Sequence, residues 1–396
     1  MKARNKKRQT IETLPIFKPA MDDQEIEAVS EVVKSGWIGL GPKTAEFETL
    51  FARYVGAKQA VGLNSATAAL HLSLIVSGVG QGDEVLMPAL TFVSAAHVAM
   101  WLGAKPVFVD IDEETLCIDP ADLARKITKK SKVIMPVDYG GHPADLDAIL
   151  AIAKNNNLKV VEDASHAAGA TYKGRVIGSI ADLTCFSFHA VKNLATGDGG
   201  MVTTNDKKLA EIIRRLRWLG IDKDTWKRET AVKNKSYRNY GWFYDVSDLG
   251  YKYHMNDIMA AIGVIQLKKL AQNNLKRRRL YDRYNRELKK FSWLILPKVK
   301  EWAESAYHLY VIRTAYRDKL NLFLKRKKIA SGVHYVPIHH FSFYRNKTVA
   351  GVPKTEKIWK TLLTLPLYPT LSFVDQDRVI GALEEFGRLI TKKTIK

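Results

Sequence analysis

The stretch CFSFHAVKNLATGDGG, residues 185–200, ends an apolar run in one lysine and then a glycine loop. Cys185, Phe186 and Phe188 read as part of a buried strand, Lys192 follows, and Gly197, Gly199 and Gly200 break the pattern. A second apolar run, VVED, ends in Asp163. A lysine and a carboxylate at the ends of two strands, facing one pocket, suit pyridoxal phosphate. The lysine bonds the cofactor aldehyde as a Schiff base and later moves a proton. The carboxylate keeps the pyridine nitrogen protonated, so that the ring can absorb carbanion charge. Such a lysine must be less basic than a free one, at about 10.4, and burial supplies that shift. Asp163 is equally suited to capping a following helix.

The cofactor phosphate needs donors. NSATAAL, residues 64–70, offers a strand end, small residues and a helix start, where free N–H groups and the Thr67 hydroxyl form an anion site. Simple N-capping by Ser65 or Thr67 explains the same residues. Ser187 adds a hydroxyl close to Lys192, and the glycines let backbone approach a ligand. Phe92, after the run EVLMP, is placed to stack on a cofactor ring, although an aromatic there also suits the core.

These residues need a frame that brings strand ends together. From about residue 59 to 205, strand-like runs appear at 59–63, 84–88, 106–110, 132–137, 159–163, 183–188 and 200–204. Helical stretches such as 66–78 and 146–157 separate several of them. This rhythm predicts an α/β fold with a mostly parallel seven-stranded sheet covered by helices, and a site beyond the carboxyl ends of the strands. A long helix over about 254–292 leads to a smaller α/β domain with a strand near 308–315 and a helix near 317–328. The expected division is a basic flexible tail at 1–13, a large domain at 14–274 and a small C-terminal domain at 275–396.

Composition narrows the classes. The 396 residues are 46% hydrophobic, enough for two domains. No apolar run reaches the about 18 residues that span a bilayer, and no apolar segment follows the basic N-terminus as in a secretory signal. Two distant cysteines, Cys117 and Cys185, fit a reducing cytoplasm and argue against a disulfide framework or a zinc site. The net charge of +21 suits an anionic partner. Its clusters at 2–8, 125–132, 276–279 and 325–328 read as solvated helix faces and a frayed tail. No zinc-finger spacing, RNA-binding aromatic motif or basic zipper accompanies the charge, so no specific nucleic-acid binding is expected. A cofactor-bound regulator or a nucleic-acid-binding protein is the alternative from another class.

Nine segments in order resemble the DegT/DnrJ/EryC1/StrS aminotransferases. They are SGWIGLGPKTAEFE, NSATAALHL, GDEVLMPALTFVSAA, KPVFVDID, VVEDASHAAGATYKG, FSFHAVKNLATGDGG, LGYKYHMNDIMAAIG, SGVHYVPIH and LPLYPTLS. The resemblance implies the type I aspartate aminotransferase fold, pyridoxal 5'-phosphate, and a homodimer with sites at the interface. It implies transfer of an amino group, from L-glutamate as the expected donor, to a nucleoside-diphosphate-linked keto-sugar. It makes Lys192 the Schiff-base lysine and Asp163 the pyridinium partner, and puts His166 near the cofactor's phenolic oxygen. Ala66, Thr67 and Ser187 become the phosphate cradle and Phe92 the stacking ring. His334 becomes a substrate-side histidine. Lys252 in GYKYHM stands where the neighbouring subunit reaches in, usually with asparagine, and is expected on the phosphate. A dehydratase branch of the family has histidine for the lysine; Lys192 disfavours it here. SGWIGLGPK resembles the form found in enzymes that act at C4 of the sugar. A cyclitol aminotransferase is the remaining alternative within the family.

Overall fold

The computed structural model describes residues 12–222, 244–345 and 351–394. The expected disorder of the first dozen residues therefore lies almost wholly outside the described residues. Seven strands form the main sheet: β1 (Gln59–Leu63), β2 (Glu84–Pro88), β3 (Lys105–Val109), β4 (Ser131–Ile134), β5 (Lys159–Asp163), β6 (Leu183–Ser187) and β7 (Gly200–Thr204). Their order across the sheet is β1-β7-β6-β5-β4-β2-β3. Only β7 runs against its neighbours, pairing antiparallel with β1 and β6, while β2 through β6 are parallel. Four of the seven expected runs, 59–63, 84–88, 159–163 and 200–204, match strand limits residue for residue. The run 132–137 is shorter as a strand, because Pro136 cannot donate to a ladder.

The β2, β6 and β7 strands are buried along their whole length. Helices cover both faces, which is why these strands read as unbroken apolar runs rather than as alternating ones. One core lies on each face. Phe47, Phe51, Phe186 and Phe188 interlock on one side, and Leu70, Leu72, Met87 and Phe108 pack on the other. A third core belongs to the C-terminal unit, around the antiparallel pair β8 (Tyr310–Arg313) and β9 (Leu362–Leu365).

A 32-residue helix, Asp257–Leu288, joins the cores. It starts where the Asn256 carboxamide accepts a hydrogen bond from the Met259 N–H at 2.9 Å. Its first half buries Ala260, Val264, Leu267 and Leu270 against the large domain, and its second half buries Leu280, Tyr281, Tyr284 and Leu288 in the small one. The boundary expected at 274/275 falls inside this unbroken helix. Leu14 packs in the third core and pairs with Ile329, so the chain just after the tail touches the C-terminal unit before Phe17 packs against the core of the large domain.

The Asp257 carboxylate also accepts hydrogen bonds from the backbone N–H groups of Gly41, Lys43 and Thr44 and from the Thr44 hydroxyl. It thereby caps the helix Pro42–Val55, whose own N-cap Gly41 has no side chain to do so. One expectation fails on this helix pair. Arg277, within the basic run 276–279, is not on a solvated face. It is 2% exposed and donates from Nη1 to the Leu367 carbonyl at 3.0 Å. Burial without an acidic partner lowers its guanidinium to about 9.

Candidate active site

β5 delivers Asp163 at its carboxyl end, and the connection from β6 to β7 delivers Lys192. That connection is a closed loop. Thr196 N–H donates to the Phe188 carbonyl at 2.8 Å, Phe188 N–H to the Gly199 carbonyl at 2.9 Å, and Lys192 N–H to the His189 carbonyl at 2.8 Å. Gly197, with φ +91°, turns the chain where a side chain would be strained. The lysine of the motif therefore projects from a fixed turn between two core strands rather than from a loose loop.

Around it is a cavity of about 330 Å³, lined among others by Ala66, Thr67, Phe92, Asp163, His166, Ser187, Lys192 and His334. Eight of the nine residues singled out in the sequence thus meet in one space. Lys252 is the exception. Its ammonium lies 3.5 Å over the Trp218 ring of its own chain, outside that lining.

Asp163 is 4% exposed. No helix begins between Asp163 and β6, so Asp163 is not a helix cap. One of its oxygens accepts from the Ser165 N–H at 3.1 Å and from the Ser165 hydroxyl at 2.5 Å. Burial pushes its carboxyl up from the usual carboxylate range, while the two Ser165 bonds and the Lys192 charge act against this. Burial lowers the Lys192 amine to about 8, opposed by the Asp163 charge. At neutral pH a usable fraction of such an amine is unprotonated, which an exposed lysine cannot offer.

The helix Ala66–Val76 begins at the cavity. Its N-cap is Ser65, whose hydroxyl accepts from the Ala68 N–H at 3.1 Å; Thr67 plays no capping part. The Ala66 and Thr67 N–H groups have no acceptor among the described residues. A dipole end with free N–H groups beside the Thr67 and Ser187 hydroxyls fits a phosphate. The start of β7 presses against this helix end. A Cβ on Gly200 would lie 2.4 Å from the Ser65 carbonyl carbon and oxygen and 2.6 Å from the Ala66 nitrogen. Phe92 is 57% exposed and its ring stands 6.0 Å from that of Tyr335, so it faces the cavity rather than the core.

His166 is neutral, its pKa held well below the ordinary histidine value by burial and then by the nearby Lys192 and His334. Its Nδ1 accepts from the Gly140 N–H at 3.2 Å, which leaves the proton on Nε2 to donate to the Tyr335 hydroxyl at 3.0 Å. Its ring also lies 4.5 Å from that of His308. His308 Nδ1 meets the Asn193 carboxamide oxygen at 3.0 Å, and the Asn193 amide donates to Asn274 at 2.9 Å and to the Ala306 carbonyl at 2.6 Å. The residue after Lys192 is thus pinned to the long helix and to the C-terminal unit. His334 Nδ1 meets the Thr364 hydroxyl at 2.8 Å, and the Tyr139 hydroxyl donates to the His334 carbonyl.

Tyr335, Ser165, Asn193 and His308 escaped the reading of the sequence. Tyr335, Ser165 and Asn193 adjoin residues that were singled out, and adjacency was their only signal. The C-terminal unit also aims His339 and His340 at Glu356, their Nε2 atoms 2.5 and 2.8 Å from its Oε1. Both contacts need the proton on Nε2, since the carboxylate accepts.

Residues 19–384 match the DegT/DnrJ/EryC1/StrS aminotransferase family. The spore coat polysaccharide biosynthesis protein SpsC of Bacillus subtilis (strain 168) is 43% identical over 389 residues, covering 94% of this chain and 96% of that protein. The UDP-4-amino-4-deoxy-L-arabinose–oxoglutarate aminotransferase of Shewanella sediminis is 39% identical, covering 94% of this chain and 98% of the relative. The PMP form of Spr1654 from Streptococcus pneumoniae superposes with a TM-score of 0.88 at 34% identity, over 97% of this chain and all (100%) of the other; its PLP form gives 0.87. The chain belongs to the DegT/DnrJ/EryC1/StrS aminotransferase family. It has the fold of type I pyridoxal-phosphate aminotransferases, it is an aminotransferase, and its cofactor is pyridoxal phosphate.

The contact at Gly200 generates a prediction. Gly200→Ala should displace the start of the helix Ala66–Val76 and weaken cofactor affinity at least tenfold, while unfolding stays cooperative; overpacking of this kind costs about 1–3 kcal/mol. Gly381→Ala, on an exposed helical surface with nothing within 4 Å of the added carbon, is the control and should bind cofactor normally. Equal affinity in the two variants, read by fluorescence titration with pyridoxal phosphate, would refute the role given to Gly200.

Proposed function

We infer that the protein moves an amino group from an amino acid, glutamate, to a keto-sugar carried on a nucleoside diphosphate, at C4 of the sugar. The observation that carries the reading is the desolvated Lys192 amine, lowered to about 8, in a cavity that also holds Asp163 and a helix start with free N–H groups. The names of the two curated relatives, one acting in polysaccharide biosynthesis and one on a 4-amino-sugar nucleotide, support the substrate class and the carbon. The net charge of +21 supports an anionic substrate.

The residues take the following parts. Lys192 Nζ would hold the bound cofactor at its aldehyde carbon; freed by the incoming amine, it would carry one proton from the donor carbon that bears nitrogen to the cofactor carbon that bore the aldehyde. The Asp163 oxygen not held by Ser165 keeps the proton on the ring nitrogen. Pyridoxal phosphate itself supplies an electron sink for the carbon that loses its proton. The Ala66 and Thr67 N–H groups and the Thr67 and Ser187 hydroxyls hold the phosphate, and Phe92 covers one face of the ring. His166, with its proton fixed on Nε2, orients the phenolic edge together with Tyr335. His334 lines the substrate side.

The panel that tests the reading is a set of nucleotide-linked 4-keto and 3-keto sugars, incubated with the protein, pyridoxal phosphate and glutamate, with products weighed by mass spectrometry. Conversion of a 4-keto sugar to its amino-sugar with release of 2-oxoglutarate is expected. Conversion of free cyclitol ketones alone would favour the cyclitol alternative.

The active unit in this reading is a homodimer in the cytoplasm. Among the described residues no helix is long and apolar enough to cross a membrane. Leu219, Val246 and Leu249, from 45% to 93% exposed, lie close in sequence to Trp218 and Lys252 and support a face that a second copy covers. In that assembly Lys252 reaches the partner's phosphate. Mixing Lys192→Ala protein with Lys252→Ala protein should then restore activity towards about a quarter of wild type per site, since half the dimers are mixed and each has one complete site. The test requires that Lys252→Ala alone be badly impaired. No recovery despite demonstrated subunit exchange would return Lys252 to its own chain's Trp218.

A further inference from the structure

Behind Asp163 are two carboxyl groups that the reaction does not use. Asp138 follows β4, and its N–H donates to the Asp163 carbonyl at 3.1 Å. Glu162 precedes Asp163 on β5 and points to the other face of the strand. Both are fully buried, at 0% exposure. Each has one satisfied oxygen: Ala144 N–H donates to Asp138 Oδ1 at 2.8 Å, and the Thr184 hydroxyl donates to Glu162 Oε2 at 2.8 Å. Each has one oxygen, Asp138 Oδ2 and Glu162 Oε1, buried and without a donor. The two side chains are within hydrogen-bonding reach of each other.

Two bare carboxylates in contact inside a protein repel each other and leave both orphan oxygens unpaired. Two carboxylic acids would carry one proton more than the contact needs. A single proton between them converts both orphans into one short donor–acceptor pair and leaves one charge. Burial is the largest cause that pushes both groups up from the carboxylate range; the Glu162 charge raises Asp138 further, whereas the hydrogen bond from Asp138 lowers Glu162, as it does when the shared proton sits on the Asp138 side. Asp163 raises both, and the pair in turn raises two neighbouring thiols, Asp138 acting on Cys117 and Glu162 on Cys185, both held protonated chiefly by burial. Among the described residues neither carboxyl has a basic ion-pair partner, so no cation cancels the remaining charge.

We propose that Asp138 and Glu162 hold one proton between them and leave a single negative charge behind Asp163, where it stabilises the positive ring nitrogen that Asp163 faces. They are positioning residues, acting through Asp163 and touching neither cofactor nor substrate. The second half of the proposal rests on the role given to Asp163 above; the first half does not. In the unfolded chain both carboxyls are ionised above about pH 5. The folded chain then binds one proton more than the unfolded one, so this pair's contribution to stability is present at low pH and is lost as the pH rises.

The test uses the full chain and the double variant Asp138→Asn/Glu162→Gln, which keeps a hydrogen bond between the two side chains but neither charge nor titratable proton. Without cofactor, the ratio of the unfolding constants of wild type and variant, from urea titrations between pH 5 and 7, should rise about tenfold per pH unit. With pyridoxal phosphate bound, the midpoint of its pH-dependent visible absorbance should fall by about half a unit or more in the variant. A flat ratio means both carboxyls are ionised in the fold, and a hundredfold change per unit means both are protonated; either overturns the proposal. An unshifted absorbance with the expected ratio overturns the effect on the cofactor while leaving the shared proton in place. Failure to bind the cofactor at all would count against the functional reading and not against the first arm. Should the double variant not fold, infrared spectroscopy of the wild type decides. One buried carboxylic-acid carbonyl band at pH 7 that Asp138→Asn removes supports the pair, and no such band overturns it.

Discussion

A lysine amine and a carboxylate share one desolvated cavity, and each is costly there without the other. Burial strips water from Lys192 and lowers its proton affinity, while the Asp163 charge pulls it back up. The balance leaves the amine near 8, where it can serve as nucleophile and as proton carrier. Much of the fold serves to hold that balance. β5 and β6 are adjacent and parallel, so the carboxyl end of one strand and the loop leaving the other open on the same side of the sheet. The one reversed strand, β7, returns from the lysine loop between β1 and β6 and brings Gly200 against the helix start that is free to take a phosphate.

The C-terminal unit completes the surroundings rather than standing apart. Asn193, next to the lysine, is bonded to the long helix and to the Ala306 carbonyl, and its oxygen meets His308. Tyr335 and His334 close the cavity from the same unit. His166 is held between Gly140, Tyr335 and the His308 ring in one tautomer. Protonating His166 would take away the Nδ1 lone pair that accepts from Gly140, and burial disfavours charge on either ring, so both act as neutral dipoles.

The strands were legible because a sheet covered on both faces writes itself as short apolar runs, and Lys192 was legible as a candidate because a lysine between such a run and a glycine loop needs a reason. Asp163 and the helix start at Ala66 followed from the rule that ligands gather at strand ends. Tyr335, His308 and Asn193 were not legible, since their partners lie in a different unit of the chain and no local pattern announces a contact of that kind. Arg277 was misread because its basic neighbours suggested a wet helix face, while the long helix turns that one position into the core. The carboxyl pair Asp138–Glu162 was invisible for a related reason: only packing shows that two acids without basic partners lie together.

The account stands most directly on the proton affinity of one amine. Competitive acetylation of the cofactor-free chain across pH, with the peptide that contains Lys192 quantified by mass spectrometry, measures it against the surface lysines of the same molecule. Lys192 should show half-maximal reactivity near pH 8. In Asp163→Asn the midpoint should move lower still, because the charge that opposes desolvation is gone. A midpoint near the ordinary lysine value of about 10.4, unmoved by Asp163→Asn, would contradict the account.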